Sequence, residues 1–450
     1  MLSSPNLKSQ NLKSQNLKWK TNAKRPRALT IVLFAALGLC FGQSANPAHP
    51  LNSPAQQDKP YVLLISLDGF RYDYAERDHA ANLLALGKSG VTAKALIPSF
   101  PTTTFPNHYT IVTGLFPAHH GIVDNSFWDP ARTAEFRSSE SASTTDGSWW
   151  GGTPLWVLAE QQGMRAASFF WPGSDAEIQH TRPTYYYKYD GKIPNDRRVE
   201  QVVEWLKLPK PERPHFITLY FSDVDHEGHV FGPDAPQTHA AIRTIDAELG
   251  KLFGEVRALG VPLDIFVVSD HGMAAVTGDI DVSKLANLDG VETAANSTDF
   301  KFYSSDSKRM DQLYSELHGK DSRTAVYRRS EIPERLHYSG GLLGDRRIGD
   351  VVMLATAPVV LHLAPRLGQT LQKGMHGYDV AKVPEMRGIF FAAGPDLKAG
   401  LTVEEFQNIH IYPLIAHILG LHAPAGIDGQ FSVLAPILNT DAKSSAVSSK

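Results

Sequence analysis

Three near-continuous apolar runs, each stopped by acid, constrain this chain more than any other feature. YVLLISLDGF (61–70) ends at Asp68, HFITLYFSDVDHEGH (215–229) at Asp223 and Asp225, and LDIFVVSDHGM (263–273) at Asp270 and His271. Runs of this kind read as strands buried on both faces, hence as parallel strands covered by helices on either side. Ligands of open α/β sheets bind beyond the carboxyl ends of the strands, where these acids and imidazoles would stand. One Asp behind an apolar strand is usually a turn residue or a helix N-cap. Three such ends, two of them also carrying His, are not explained by capping. The expected fold is therefore α/β, a doubly wound, mostly parallel sheet flanked by helices.

The side chains at these ends suggest a metal. Asp225 and His229 stand i, i+4, on one face if their segment is helical, while Asp270 and His271 can converge on an ion only in a strand-end loop. Oxygen and nitrogen donors without thiolate suit zinc ahead of manganese or iron. A further imidazole, His376, lies in GMHGYD between Gly374 and Gly377. Upstream, PSFPTTTFPNHYTIVTGLFPAHHG (98–121) sets Thr104 between Pro101 and Pro106 at an expected helix start. A helix start offers unpaired N–H groups and partial positive charge, which suit an oxyanion or phosphate. A metal on the Thr104 oxygen would favour its alkoxide and make it a nucleophile. From this segment alone, a Thr N-cap with polar loop neighbours reads equally well.

Charge and composition narrow the partners. Lys plus Arg number 44 against 47 Asp plus Glu, and no dense basic stripe crosses the body of the chain, so binding to a nucleic-acid duplex is not expected. The first fifty residues differ. A basic, repetitive opening precedes Ala28–Gly42, an uncharged apolar run of signal-peptide length. A membrane span needs about 20 apolar residues. Residues 1–45 are therefore expected to be a signal peptide with a basic N-terminal extension, leaving no stable span in the mature protein, with an uncleaved anchor as the alternative because the basic opening is unusually long. Export to a bacterial periplasm or secretion follows. The chain's single Cys, Cys40, lies in that run, so the mature protein has no disulfide framework. LGLC loosely resembles a lipoprotein signal, but bulky Leu39 before the Cys ranks lipidation below plain secretion.

Taken together, Asp68, PTTTFPNHYTIVTGLFPAHHGI, VDNSFWDP, FFWPGSDAEI, SDVDHEGHVFGP, VVSDHGM and MHGYD resemble the nucleotide pyrophosphatase/phosphodiesterase family of the alkaline phosphatase superfamily. The similarity runs in the family's order and spacing from about residue 60 to about 430. It implies an alkaline phosphatase-like catalytic domain over 51–436, with an insertion of about 296–372 over the active site and a flexible tail over 437–450. Within the insertion SSDSKRMDQLYSELHG reads as helix and RRIGDVVMLA as strand, and a closing helix is expected near 406–421.

The resemblance also implies two zinc ions per chain. One would take Asp225, His229 and His376; the other Asp68, Asp270, His271 and Thr104 itself. Asn125 matches the family's side-chain donor to a non-bridging phosphate oxygen, with the Thr104 backbone N–H as its companion. In-line attack by Thr104 would give a phosphothreonine intermediate, and a neutral Asn125 suits a singly charged diester, so ATP should yield AMP and pyrophosphate. Phe105 and Tyr189, in RPTYYYKYDG, match the aromatic pair around a nucleobase; Trp171 and Asp175, with Ser174, would line the base or sugar pocket. The polar stretch 129–150 resembles the nucleotide-cleaving members rather than the lysophospholipase D relative, which has a lipid pocket near there; phosphodiesterases on choline-type lipids and phosphonate hydrolases share the two-zinc site and stay as alternatives. A zinc-stabilised binding protein without turnover would not need a hydroxyl at a helix start. A monomer acting on small-molecule nucleotides is expected.

Overall fold

The runs that end in acid become neighbouring strands. In the computed structural model, which describes residues 51–341, 343–363 and 371–439, the central sheet comprises eight strands. They are β1 (Tyr61–Leu67), β2 (Val91–Ala93), β3 (Ala166–Phe169), β4 (Tyr185–Tyr186), β5 (Phe216–Phe221), β6 (Leu263–Val268), β7 (Phe390–Ala393) and β8 (Leu401–Val403). Across the sheet the order is β8-β2-β7-β6-β1-β5-β3-β4. All neighbours run parallel except β7, which is antiparallel to both β6 and β2. Leu67 of β1 sits beside Phe221 of β5, and Ser66 beside Val268 of β6, so the three carboxyl ends finish level. The expected signal peptide over 1–45, with Cys40, and the tail beyond Asn439 lie outside the described residues.

Alternation along β1 divides the core. Val62 and Leu64 pack with α1 (Thr104–Thr113), α2 (Leu155–Gln161) and α6 (Ile411–Leu419); Tyr61, Leu63, Ile65 and Leu67 pack with α3 (Asn195–Lys207) and α5 (Pro236–Leu259). All seven β1 side chains are buried, each large aliphatic one contributing about 1.5–3 kcal/mol by its removal from water. Helix α4 (Asp223–Phe231) follows β5 directly and lies against α5. The closing helix α6 is shorter than the apolar pattern suggests. Phe406–Gln407 pairs with Leu96–Ile97 as a short strand, Asn408–His410 is a 3-10 turn, and Gly420 ends α6 in the left-handed region at φ 67°.

Residues between β6 and β7 build a second, four-stranded antiparallel sheet. Its strands, Glu292–Ala295, Asp299–Tyr303, Thr324–Arg328 and Val351–Ala355, begin slightly before the expected insertion start near 296. Helix Ser307–Leu317, N-capped by Asp306 through the N–H groups of Lys308 and Arg309, lays Met310, Leu313 and Leu317 among Phe300, Phe302 and Met353. Among the described residues no helix is long and apolar enough to cross a membrane.

Candidate active site

The level strand ends bring Asp68, Asp225, Asp270, His271 and, from a distant loop, His376 into one buried cluster. Gly69 makes the approach possible: it sits at φ 67°, and a Cβ there would lie 2.9 Å from the backbone of Asp225. Asp225 Oδ1 stands 3.3 Å from His229 Nε2 and 3.7 Å from His376 Nε2. His271 Nε2 stands 3.0 Å from Asp270 Oδ2 and 3.5 Å from Asp68 Oδ1. The His271 and His376 rings stack at 3.6 Å and join the two groups. Each imidazole donates through Nδ1 to a backbone carbonyl: His229 to Gly374 at 2.9 Å, His271 to Gly272 at 2.9 Å, His376 to Thr102 at 3.1 Å. With Nδ1 so engaged, Nε2 is the nitrogen that faces the cluster in each ring, the atom a metal would take once it is unprotonated.

The acids point to the same use. Asp68 Oδ1, Asp225 Oδ1 and Asp270 Oδ2 are buried without a hydrogen-bond donor. Burial, then Asp270 and Asp225, push the Asp68 carboxyl far up. Burial opposes ionisation of Asp225 as well, yet His229, His376 and His271 hold it below the usual carboxylate range. Burial and the neighbouring His271 and His229 force His376 well down. Unpaired acid oxygens facing imidazole nitrogens are balanced by a divalent cation. Three donor sets lie within 4.8 Å spans: Asp225, His229 and His376; Asp68, Asp225 and His271; Asp68, His108 and Asp270.

Each of the three consecutive threonines has its own task. Thr102 Oγ1 donates to Tyr378 O and accepts from Gly377 N–H, fastening the loop that carries His376. Thr103 Oγ1 donates to Asp124 Oδ1 at 3.1 Å. Thr104 is the first residue of α1, and its Oγ1 lies 3.3 Å from His271 Nε2. At this helix start Phe105 N–H is taken by Asn125 Oδ1 at 2.9 Å, Pro106 has none, and Asn107 N–H reaches Thr103 O. Among the described residues the Thr104 N–H takes no partner. Asn125, with its Oδ1 so engaged, offers Nδ2 as a second donor in the cleft that Thr104 also lines. Asn107 braces the turn by accepting from Ser99 N–H and Asn408 Nδ2 and donating to Pro101 O and Thr103 O.

The space beyond Thr104 has two lobes. The more enclosed one, the closed lobe, has about 400 Å³ and is lined by Phe105, Trp171, Ser174, Asp175, Tyr189 and Ser138, among others. Trp171 is fixed by its indole N–H on His108 O at 3.0 Å. Phe105 rests against Phe136 and Trp150, both 6.1 Å away, whereas Tyr189, 56% exposed, leans on Phe170 at 5.1 Å. The two rings thus pack against different neighbours. An open lobe of about 750 Å³ holds Asp68, Asn125, Asp225 and His229, with Lys192 and Gln372 at its outer part. Thr104, Phe105, Ser138, Tyr189 and Tyr220 line both lobes.

Two residues at the cluster escaped the sequence reading. Tyr220 donates to Asp68 Oδ2 at 2.6 Å, but its alternation within an apolar strand looks like core. His108 lies one turn after Thr104, its Nδ1 2.9 Å from Thr104 O and 3.3 Å from Asp270 Oδ2, its Nε2 2.8 Å from Ser66 Oγ. Both nitrogens are engaged, Nδ1 by Thr104 O and Nε2 by Ser66 Oγ, with Asp270 beside the ring. The i, i+4 spacing from Thr104 was the signal available for it.

Comparison with known proteins gives a consistent picture. The family model for type I phosphodiesterase/nucleotide pyrophosphatase matches residues 62–379. An uncharacterized pyrophosphatase/phosphodiesterase of Schizosaccharomyces pombe is 37% identical over 381 residues, 80% of this chain and 77% of the yeast protein. Human ectonucleotide pyrophosphatase/phosphodiesterase family member 1 is 33% identical over 420 residues, 89% of this chain but 44% of the human one, so the chain spans less than half of that relative. The solved structure of murine ectonucleotide pyrophosphatase/phosphodiesterase 5 superposes with a TM-score of 0.79 at 31% identity, covering 84% of this chain and 100% of that one. An inactive form of the murine protein in complex with AMP superposes with a TM-score of 0.79 at 30% identity, covering 85% and 100%.

Proposed function

The chain belongs to the type I phosphodiesterase/nucleotide pyrophosphatase family, and from that premise we propose that it hydrolyses nucleotide phosphodiester and pyrophosphate bonds, turning ATP into AMP and pyrophosphate, through a phosphothreonine on Thr104. The observation that carries this reading is the Thr104 hydroxyl at the start of α1, 3.3 Å from His271 Nε2 and open to both lobes.

The donor chemistry fits metal binding, and we assign two zinc ions, one that Asp225, His229 and His376 would hold and one that Asp68, Asp270, His271 and Thr104 would hold. When bound, the pair supplies Lewis acidity that neutralises phosphate charge and favours the Thr104 alkoxide. The chain's own residues do the rest. The Thr104 N–H and Asn125 Nδ2 donate to a non-bridging oxygen, whose charge grows as Thr104 Oγ1 bonds to phosphorus and the leaving oxygen departs. Water then cleaves the phosphothreonine, releasing the nucleoside monophosphate and restoring the hydroxyl. Phe105 and Tyr189, which both line the closed lobe, hold the base, with Trp171 and Asp175 beside it. The leaving group occupies the open lobe.

We place the enzyme outside the cytoplasm as a monomer, exported by its leader to a bacterial periplasm or secreted, while the relatives named above are eukaryotic. Chromatography of products from a panel of ATP, dinucleotides, glycerophosphocholine-type lipids and phosphonoacetate tests the assignment. AMP and pyrophosphate from ATP are expected. ADP and orthophosphate as main products, or faster turnover of the lipid or the phosphonate, would overturn it.

A further inference from the structure

The segment that carries Asn125 is held at both ends by buried cations from the second sheet and the turn next to it. Asp124, just before Asn125, is completely buried and ion-paired with Lys301, itself completely buried on strand Asp299–Tyr303. Lys301 also bridges to Asp299 Oδ2 at 2.7 Å, so one buried cation faces two buried carboxyl groups. At the far end Asp129 Oδ2 accepts from Arg347 Nε at 2.9 Å, and Arg347 Nη1 reaches Gly121 O and Trp149 O. Between them Trp128 N–H donates to the Tyr303 hydroxyl, and Asn296 Nδ2 donates to Asp124 Oδ2 at 3.1 Å and Ser126 O at 3.0 Å. Charges this deeply buried are costly to place, and this set converges on one short segment.

Asp124 passes that restraint to the reaction centre. Its Oδ1 accepts from Asn125 N–H at 2.7 Å and from the Thr103 hydroxyl at 3.1 Å. Thr103 is the N-cap residue of α1 and precedes Thr104, and Asn125 Oδ1 holds Phe105 N–H at 2.9 Å. One carboxylate oxygen thus ties together the backbone of the Asn125 donor and the backbone that presents the Thr104 N–H. An oxyanion donor is useful only where its N–H meets the growing charge, and small displacements waste it. We propose that Asp124, locked by Lys301 and backed by the Arg347–Asp129 pair, is the positioning residue of the phosphate-recognition donors, so that the second sheet serves as a buttress for Asn125.

The proposal rests on the donor role given to Asn125 above, and the test separates the two. Asp124→Asn keeps Oδ1 as acceptor for Asn125 N–H and Thr103 but turns an amide toward Lys301, which retains Asp299. With bis(4-nitrophenyl) phosphate as substrate, kcat should fall roughly 10- to 100-fold with KM within about twofold, since removing one oxyanion donor outright costs about 10²–10³ in kcat. Thermal stability and metal content should stay close to those of the parent. On an Asn125→Ala background the same change should cost clearly less than it does alone, because only the Thr104 N–H is then left to misplace.

Parent-like kcat in Asp124→Asn, or losses that multiply on the Asn125→Ala background, would overturn the proposal. Parent-like kcat in Asn125→Ala alone would overturn the donor role and this proposal with it. Should Asp124→Asn fail to fold, the pair Thr103→Val and Thr103→Ser decides. Val should reproduce the kcat loss and Ser should restore most of the rate, whereas parent-like kcat in Thr103→Val would overturn the proposal.

Discussion

The donor cluster and the closed lobe meet at Thr104, yet they are built from different parts of the fold. The cluster stands mainly on the ends of β1, β5 and β6, each imidazole fixed by a backbone carbonyl and Asp68, Asp270 and His271 wholly buried. The closed lobe stands on connections: Ser138–Thr144, the turn after β3 that carries Trp171 and Asp175, and the segment after β4 that carries Tyr189. Strand ends hold a constellation tightly, while loops vary what it selects. The difference teaches where each kind of effect should fall. Changes in the cluster should act on every substrate alike; changes in the lobe should act on those with a base.

The largest effect tests the first half of that contrast. Thr104→Ala should abolish turnover of nucleotide and non-nucleotide diesters equally while leaving fold and metal content in place, and Thr104→Ser should keep part of the rate because the hydroxyl survives. Trapping a chain that carries a covalent nucleoside monophosphate in Thr104→Ser, but never in Thr104→Ala, locates the covalent step. Chelation should silence both substrate types together and added zinc should restore them. Persistence of turnover in a metal-free sample would break the scheme at its root.

The same contrast explains what the sequence disclosed. Strands buried on both faces leave an unmistakable apolar run, and their ends announce chemistry because acid there has no packing reason. The sheet and the cluster were therefore readable. Tyr220 was hidden because a tyrosine in FITLYF alternates as core does, although its hydroxyl reaches Asp68. Lys301 was hidden for the opposite reason: a lysine in DFKFY looks like the solvent face of a strand, and it takes the distant Asp124 together with Asp299 on its own strand to make its complete burial tolerable. The closing helix was drawn too long because Phe406 is apolar for its pairing beside Leu96, a contact over three hundred residues apart that no local pattern records. Long-range partners, rather than weak local signals, separate the readable from the unread.

The second half of the contrast is sharpened by Tyr189. Base–aromatic stacking is worth about 1–3 kcal/mol, so Tyr189→Ala should lower kcat/KM for a nucleotide diester by roughly 5- to 150-fold. Bis(4-nitrophenyl) phosphate has no base to stack, and its rate should barely change. The ring's 56% exposure makes this a clean deletion, with little packed around it to collapse. Equal losses on both substrates would place Tyr189 in the scaffold and dissolve the division between the two regions.

Asp175 carries the smallest expected effect and probes the lobe in the absence of any substrate. Burial is the main cause that raises its carboxyl to about 6, with its own backbone N–H, Lys188 and Arg182 acting the other way. In the unfolded chain the group titrates near ~3.9. Between those values the native state holds a proton that the unfolded state has lost. Its contribution to stability is therefore fully present below about pH 4 and disappears as pH rises through about 6. Asp175→Asn never ionises, so its thermal stability should overtake that of the parent as pH climbs from 4 to 7 and keep a constant margin above that, at most about 3 kcal/mol. In turnover the change should cost nucleotides roughly fivefold or less, the worth of one hydrogen bond near 1 kcal/mol, and leave bis(4-nitrophenyl) phosphate untouched. A margin that does not vary with pH would show that Asp175 ionises freely in the folded protein, and the closed lobe would then be as wet as the open one beside it.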